Sequence, residues 1–233
     1  MSQETEAIKE TAKAAQEIAK ASGKAVDAGS NFGRFISRYI SGSLEQGIGI
    51  FEDKLKYMRW ERQQRLMVRA DQFMQEIGIE SPTRAIPLKL AIPLFQGASL
   101  EDNDDLQDIW AKLLVNAANK NSGIDLKRVY IDILERITPL EAQILSAIYI
   151  LPFAEIQHKG VFTADLPDKA VPADEKKPPG ATEPSEEIKL ALASLSAIDC
   201  LSPTKTYGGG EAFAWVNPTF LGKSSVNACT LKI

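Results

Sequence analysis

The chain is 233 residues long, enough for one large domain or two small ones with real cores. Apolar residues make up 44% and charged residues 25%, which excludes collagen-like, disulfide-framework and wholly disordered classes. With 27 Lys and Arg against 31 Asp and Glu, the net charge of −4 argues against a general nucleic-acid coat, though not against a local basic patch.

The polar start, Met1 to Glu10, has none of the apolar core that a secretory signal needs. Cys200 and Cys229 lack C-x-x-C spacing and read as two buried thiols of a reducing compartment. No apolar run approaches the ~18 residues that span a bilayer. The expected location is the cytoplasm, with peripheral contact to the inner membrane left open.

Residues 4–28 read as a helix with a thin apolar face of mostly small side chains, Ile8, Ala12, Ala15, Ala19 and Val26. Such a face buries little area, so this helix is expected either to fray or to need a partner. Gly29 and Gly33 bend the chain, and Phe32, Phe35, Ile36, Tyr39 and Ile40 follow, bordered by Arg34 and Arg38. Apolar residues flanked by arginines suit a lipid interface or a groove on another protein; the plainer alternative is packing on the next helix. That helix runs from Asp53 to about Ile77, with Leu55, Leu66, Phe73 and Ile77 in one arc and Gly78 and Pro82 closing it.

Pro87 and Pro93 divide the next stretch into short helices or turns. Ser99 to Lys120 is the clearest helix. Ser99 is placed to cap it, and Leu106, Ile109, Trp110, Leu113, Leu114 and Ala117 form a stripe. A further helix spans about Leu126 to Arg136. Thr138-Pro139-Leu140-Glu141 opens another with a capping box. Residues 164–187, which hold five of the twelve prolines, read as a mobile loop. Pro184 to Glu187 starts a helix through Ile198. Cys200-Leu201 and Ala212 to Val216 then read as two strands around Gly208-Gly209-Gly210, and Asn217-Pro218 caps a last helix. Helix, loop, helix, two strands and closing helix is the element order of a winged helix.

Two charged runs invite chemistry. Lys54, Arg62, Arg65 and Arg69 share an arc beside the apolar stripe, where they either bind an anionic partner or form a solvated face paired with acids elsewhere; the second reading is preferred. Glu101, Asp102, Asp104, Asp105 and Asp108 lack calcium-loop spacing. Asp104 and Asp108 lie opposite the Trp110 stripe and are expected to face water, so changing both to asparagine should change stability little. His158 is the single imidazole, and no G-x-S-x-G, P-loop or G-x-G-x-x-G occurs. Serine or threonine hydrolysis through a lysine or carboxylate is not excluded, but nothing points to it. The expectation is no catalytic residue, no cofactor and no metal. As a recognition helix, Ser185 to Ile198 supplies Lys189 alone among base-reading side chains, which favours a packing or interaction module over a DNA reader.

Asp53 to Trp60, Pro87 to Leu94 and, most specifically, Ser99 to Leu114 (SLEDNDDLQDIWAKLL) resemble the abortive infection alpha family of bacterial proteins. Asn217 to Gly222 is similar to the L-T-x-x-G end of the same module, with Pro218 in place of leucine. The resemblance covers about residues 20–160 and, more loosely, the C-terminus. It implies a role in phage defence, in which an infected cell halts growth before progeny emerge, and carries over no catalytic residue.

Together these readings give a mainly α protein. An alanine/glycine-rich helical segment, 1–52, precedes a helical core, 53–136, and a winged-helix-like module with a small two-stranded wing, 137–233. The expected function is non-enzymatic phage defence through a protein partner or a membrane surface, the sites being Phe32, Arg34, Phe35, Ile36, Arg38 and Tyr39. The competing reading is a nucleic-acid-binding regulator using Lys54, Arg62, Arg65 and Arg69. Self-association is left open.

Overall fold

A computed structural model of the chain describes residues 31–40, 60–173 and 182–232. The expected helix at 4–28, the first turns of the helix expected from Asp53, Lys54 and the middle of the proline-rich stretch lie outside these residues. The described elements, after a short helix over residues 31–37, are α1 (Trp60–Glu76), α2 (Leu88–Leu100), α3 (Asp104–Ala118), α4 (Arg128–Leu134), α5 (Pro139–Tyr149), α6 (Phe153–Lys159), β1 (Val161–Phe162), β2 (Val171–Pro172), α7 (Glu186–Ala197), β3 (Leu201–Lys205), β4 (Glu211–Pro218) and α8 (Phe220–Ala228). The protein is mostly helical, with one small antiparallel sheet.

Helix α3 is central because its apolar stripe wraps most of its circumference. Leu106, Trp110, Leu113, Leu114, Ala117 and, on the other side, Ala111 and Val115 are all buried. It packs on α1, α2, α5 and α8. Asn103, not Ser99, caps it: the Asn103 side chain accepts from the backbone N–H of Asp105 and Leu106, each at 3.0 Å. Ser99 is instead buried in the last turn of α2. That helix also corrects the expected breaks at Pro87 and Pro93. Pro87 stands just before it, and Pro93 sits inside it. A proline there gives up one intrahelical bond, and burial of Ala91, Leu94, Phe95 and Ala98 on one helical face, with Pro93 itself buried on the other, offsets the loss.

The capping box at the start of α5 forms as its spacing predicts. The Glu141 N–H donates to Thr138 Oγ1 at 3.3 Å, and the Thr138 N–H donates to the Glu141 carboxylate at 2.6 Å. Thr138→Ala is expected to cost about 1 kcal/mol, read as a lowered urea midpoint with an unchanged slope.

The sheet has four strands in the order β2-β1-β4-β3, not the expected two. Val161 faces Val216 and Phe162 faces Trp215, while β2 lies on the outer side of β1. Strands of two residues are too short to display an alternating pattern, which is why β1 and β2 escaped the sequence reading. Within the stretch expected as a mobile loop, 164–187, the described residues 164–173 are tied to the sheet. Val171–Pro172 is paired, Leu166 and Ala173 are buried, and the Ala173 N–H donates to Gly160 at 2.9 Å. The β3–β4 hairpin closes through Thr206 N–H to Gly210 oxygen at 2.7 Å, with Gly209 at φ +84, a conformation that needs glycine. Its register shifts at Pro203/Thr204, and Pro203 sits on an edge strand, where its missing N–H is tolerated.

The C-terminal helix is capped by Thr219, whose Oγ1 accepts from the Gly222 N–H at 2.9 Å, one residue beyond the expected Asn217-Pro218. The following tail is tied to α3 by the buried Asn116. Its amide donates to the carbonyls of Ala228 (2.8 Å) and Thr230 (2.7 Å), and its oxygen accepts from the Lys232 N–H at 3.2 Å. Among the described residues no single helix is long and apolar enough to cross a membrane.

Candidate functional site

Arg62, Arg65 and Arg69 are spaced by three and four residues, so they share one side of α1. Asp104 and Asp108 are spaced by four on α3, the helix that α1 packs against. The two stripes meet. Arg62 Nη1 lies 2.5 Å from Asp104, and its other terminal nitrogen donates to the Asp102 carbonyl. Arg65 reaches Asp104 at 3.3 Å and Asp108 at 2.7 Å. Arg69 grips both oxygens of Asp108, Nε at 2.8 Å and Nη2 at 2.5 Å, in the planar fork that guanidinium and carboxylate favour. Gln107, buried between the helices, donates to the carbonyls of Arg62 (3.0 Å) and Ala98 (2.9 Å). The Phe73 ring completes the seam, with the Arg69 guanidinium 4.4 Å and the Lys112 ammonium 5.3 Å from its centroid.

The arrangement is a zipper between two helices. It corrects the expectation that Asp108 faces water, since its side chain is only 20% exposed, against 64% for Asp104. Burial alone would raise the Asp108 pKa; the hydrogen bonds from Arg69 and Arg65 outweigh it and hold the carboxyl below its ordinary value. A carboxylate whose folded pKa is depressed stabilises the fold fully above its unfolded pKa. That contribution is lost as pH falls below about 4 through the folded value. Asp108→Asn should therefore cost about 1–3 kcal/mol at neutral pH and progressively less in acid, whereas Asp104→Asn should cost about 0–1 kcal/mol. Urea denaturation at pH 7 and pH 3 measures both, and equal losses for the two variants would contradict the zipper.

The other candidate residues land differently from expectation. Phe32, Phe35, Ile36 and Tyr39 are buried rather than presented to a partner, while Arg34 and Arg38 on the same segment are exposed. The reason is the ring of Phe95 on α2. It stands 6.2, 6.1 and 6.0 Å from those of Phe32, Phe35 and Tyr39, close to edge-on in each case. Burial pushes the Tyr39 hydroxyl well above its usual range. Lys54 lies outside the described residues.

Arg84 is a structural cation that the sequence reading missed. It donates to the Ala117 carbonyl through Nε (2.8 Å) and Nη2 (2.6 Å), and to the Ile124 carbonyl, so it closes the C-terminus of α3 where a cation suits the helix dipole. The available signal was a single cation between turn residues, too little to place it. Both cysteines are free thiols, and burial pushes each up to about 12. Among the described residues no group of three or more His, Cys, Asp or Glu is placed to hold a metal ion.

The family model for abortive infection alpha matches residues 61–217. This match starts later than the resemblance at residue 20, runs on past residue 160 through the proline-rich stretch and the sheet, and stops at Asn217, before the rest of the C-terminal similarity. No curated protein and no solved structure matches the chain. With the zipper, the Trp110 stripe and all of the sheet but Pro218 inside the matched span, the chain belongs to the abortive infection alpha family.

Proposed function

We propose that this chain is a cytoplasmic phage-defence protein of the abortive-infection type that works by binding a protein partner rather than by catalysis. The observation that carries the reading is the family match across residues 61–217. Binding is supported over nucleic-acid recognition by the arginines of α1, whose charge is already met by Asp102, Asp104 and Asp108. The exposed side of α7 supports it too: Leu190 and Ala197 there offer nothing to base edges, and Lys189 pairs with Glu183 and Glu186.

On this reading the segment after residue 137 is a winged-helix-like interaction module, made of α5, α7, the β3–β4 hairpin and α8, and the helices of 53–136 are its support. A membrane surface is the second partner class, for which exposed Arg34 and Arg38 are the supporting feature. Plaque counts on cells with and without the protein test the proposal. A reduced count for some phages, with loss of the infected cells, is expected; unchanged plaquing across a broad panel overturns it. Salt-dependent retention on DNA or RNA would move the reading to the nucleic-acid regulator.

A further inference from the structure

Phe32, Phe35, Ile36 and Tyr39 follow the i, i+3, i+4, i+7 spacing with which an amphipathic helix seats in an apolar groove. The short helix 31–37 and the turn after it do this against the chain's own α1 and α2. Phe95 of α2 meets three of the rings, and the Tyr39 hydroxyl donates to the sulfur of Met74 on α1 at 3.6 Å. On the rim, the Arg38 guanidinium pairs with Asp71 of α1 at 3.1 Å while lying 5.8 Å from the Phe35 ring centroid. The Ile86 N–H donates to the Tyr39 carbonyl at 2.7 Å and closes the far end. The family match begins at residue 61, so the groove belongs to the matched domain and its occupant does not. Residues 41–59 separate the two in sequence.

We propose that the groove between α1 and α2 is a helix-binding site that residues 31–40 occupy in cis. The partner it takes in trans is an amphipathic helix with bulky apolar residues at i, i+3, i+4 and i+7 and a cation at i+6 for Asp71. This rests on the protein-binding reading and names the chemistry of its partner. The test reads binding in vitro, so its failure is separate from a failure to restrict phage. A tethered occupant competes at an effective concentration on the order of millimolar, so the intact chain holds the site closed against weak ligands.

The probe is a fluorescein-labelled synthetic peptide of residues 29–42, followed by anisotropy on the full chain. Phe35→Asp places a carboxylate in the seat and evicts the cis segment. The variant is expected to bind the peptide at least tenfold more tightly than wild type, with added Asp71→Lys weakening that binding severalfold. A peptide carrying Phe35→Asp should bind neither protein. A folded Phe35→Asp variant that ignores the peptide overturns the proposal, as does equal binding by variant and wild type, or sedimentation of the variant with anionic vesicles without peptide binding. If the variant melts at low temperature, the peptide must restore its transition, and failure to do so also overturns the proposal. In wild type, amide exchange at residues 31–40 is expected to outpace that of α3 through a local opening. Exchange of both at one common rate would make the segment an inseparable part of the core and sink the idea.

Discussion

Replacing Trp110 with alanine is expected to destabilise the protein by about 3–5 kcal/mol. The indole is 1% exposed, in the middle of the α3 stripe, and so belongs to the class of large buried side chains whose loss leaves a cavity the surroundings do not refill. Its six-membered ring lies against Gly97 of α2. A Cβ at position 97 would stand 2.5 Å from Cη2 and 2.7 Å from Cζ2, inside normal contact. Glycine there lets two helices approach closely enough for the ring to fill the space between them. Gly97→Ala alone should thus cost about 1–3 kcal/mol through overpacking. In the Trp110→Ala background the atoms it would strike are gone, and the same change should become almost neutral. Urea titrations of the four proteins give that coupling directly. A Trp110→Ala protein that melts like wild type would show that α3 does not turn its stripe inward as described.

What could be read in advance followed the range of the interaction. The stripe of α3, the Thr138–Glu141 box and the start of α7 at Pro184 to Glu187 are set by residues within a few positions of one another, and each appears where the local sequence puts it. The zipper was visible only as two halves. Arg62, Arg65 and Arg69 were on one arc and Asp104 and Asp108 on another, but nothing local says that the arcs meet across some forty residues of chain, with α2 folded between them. Once they do, Asp108 changes character, from a solvated group to a half-buried partner of two arginines whose charge matters for stability. The aromatic segment 31–40 had two readings, a partner-facing surface or packing on the next helix, and packing holds, against a second wall that nothing local announced. Phe32, Phe35, Ile36 and Tyr39 look like an exposed face until Phe95, sixty residues on, supplies the other wall. The strands β1 and β2 were missed because two residues show no alternation, and the proline inside α2 because tertiary burial overrode a local rule that pointed the other way.

The second large effect is expected at Gly222. The Thr219-x-x-Gly222 end of the chain has a physical explanation at the joint between α5, β3 and α8. Thr219 uses its hydroxyl twice: it accepts from the Gly222 N–H at 2.9 Å to cap α8, and it donates toward the Asp199 and Cys200 carbonyls at 2.6 and 3.0 Å. The Tyr149 hydroxyl, at the end of α5, donates to the Cys200 carbonyl at 2.6 Å and accepts from the Thr219 N–H at 3.0 Å. Burial raises its pKa to about 12, so it remains a neutral donor at any pH the protein meets. A Cβ at position 222 would fall inside contact distance of both the Cys200 oxygen and the Tyr149 hydroxyl, and 2.7 Å from the ring carbon that carries that hydroxyl. One of these neighbours is backbone and cannot swing aside. Gly222→Ala should therefore cost about 3 kcal/mol, the upper end of ordinary overpacking. Tyr149→Phe should cost about 1–2 kcal/mol by leaving the Thr219 N–H without its partner. The double variant should be less damaging than the sum by about 1 kcal/mol, because removing the hydroxyl relieves its clash while the Cys200 carbonyl and the ring carbon keep theirs. Strict additivity in a urea double-mutant cycle would place Gly222 away from Tyr149 and refute this arrangement of the joint.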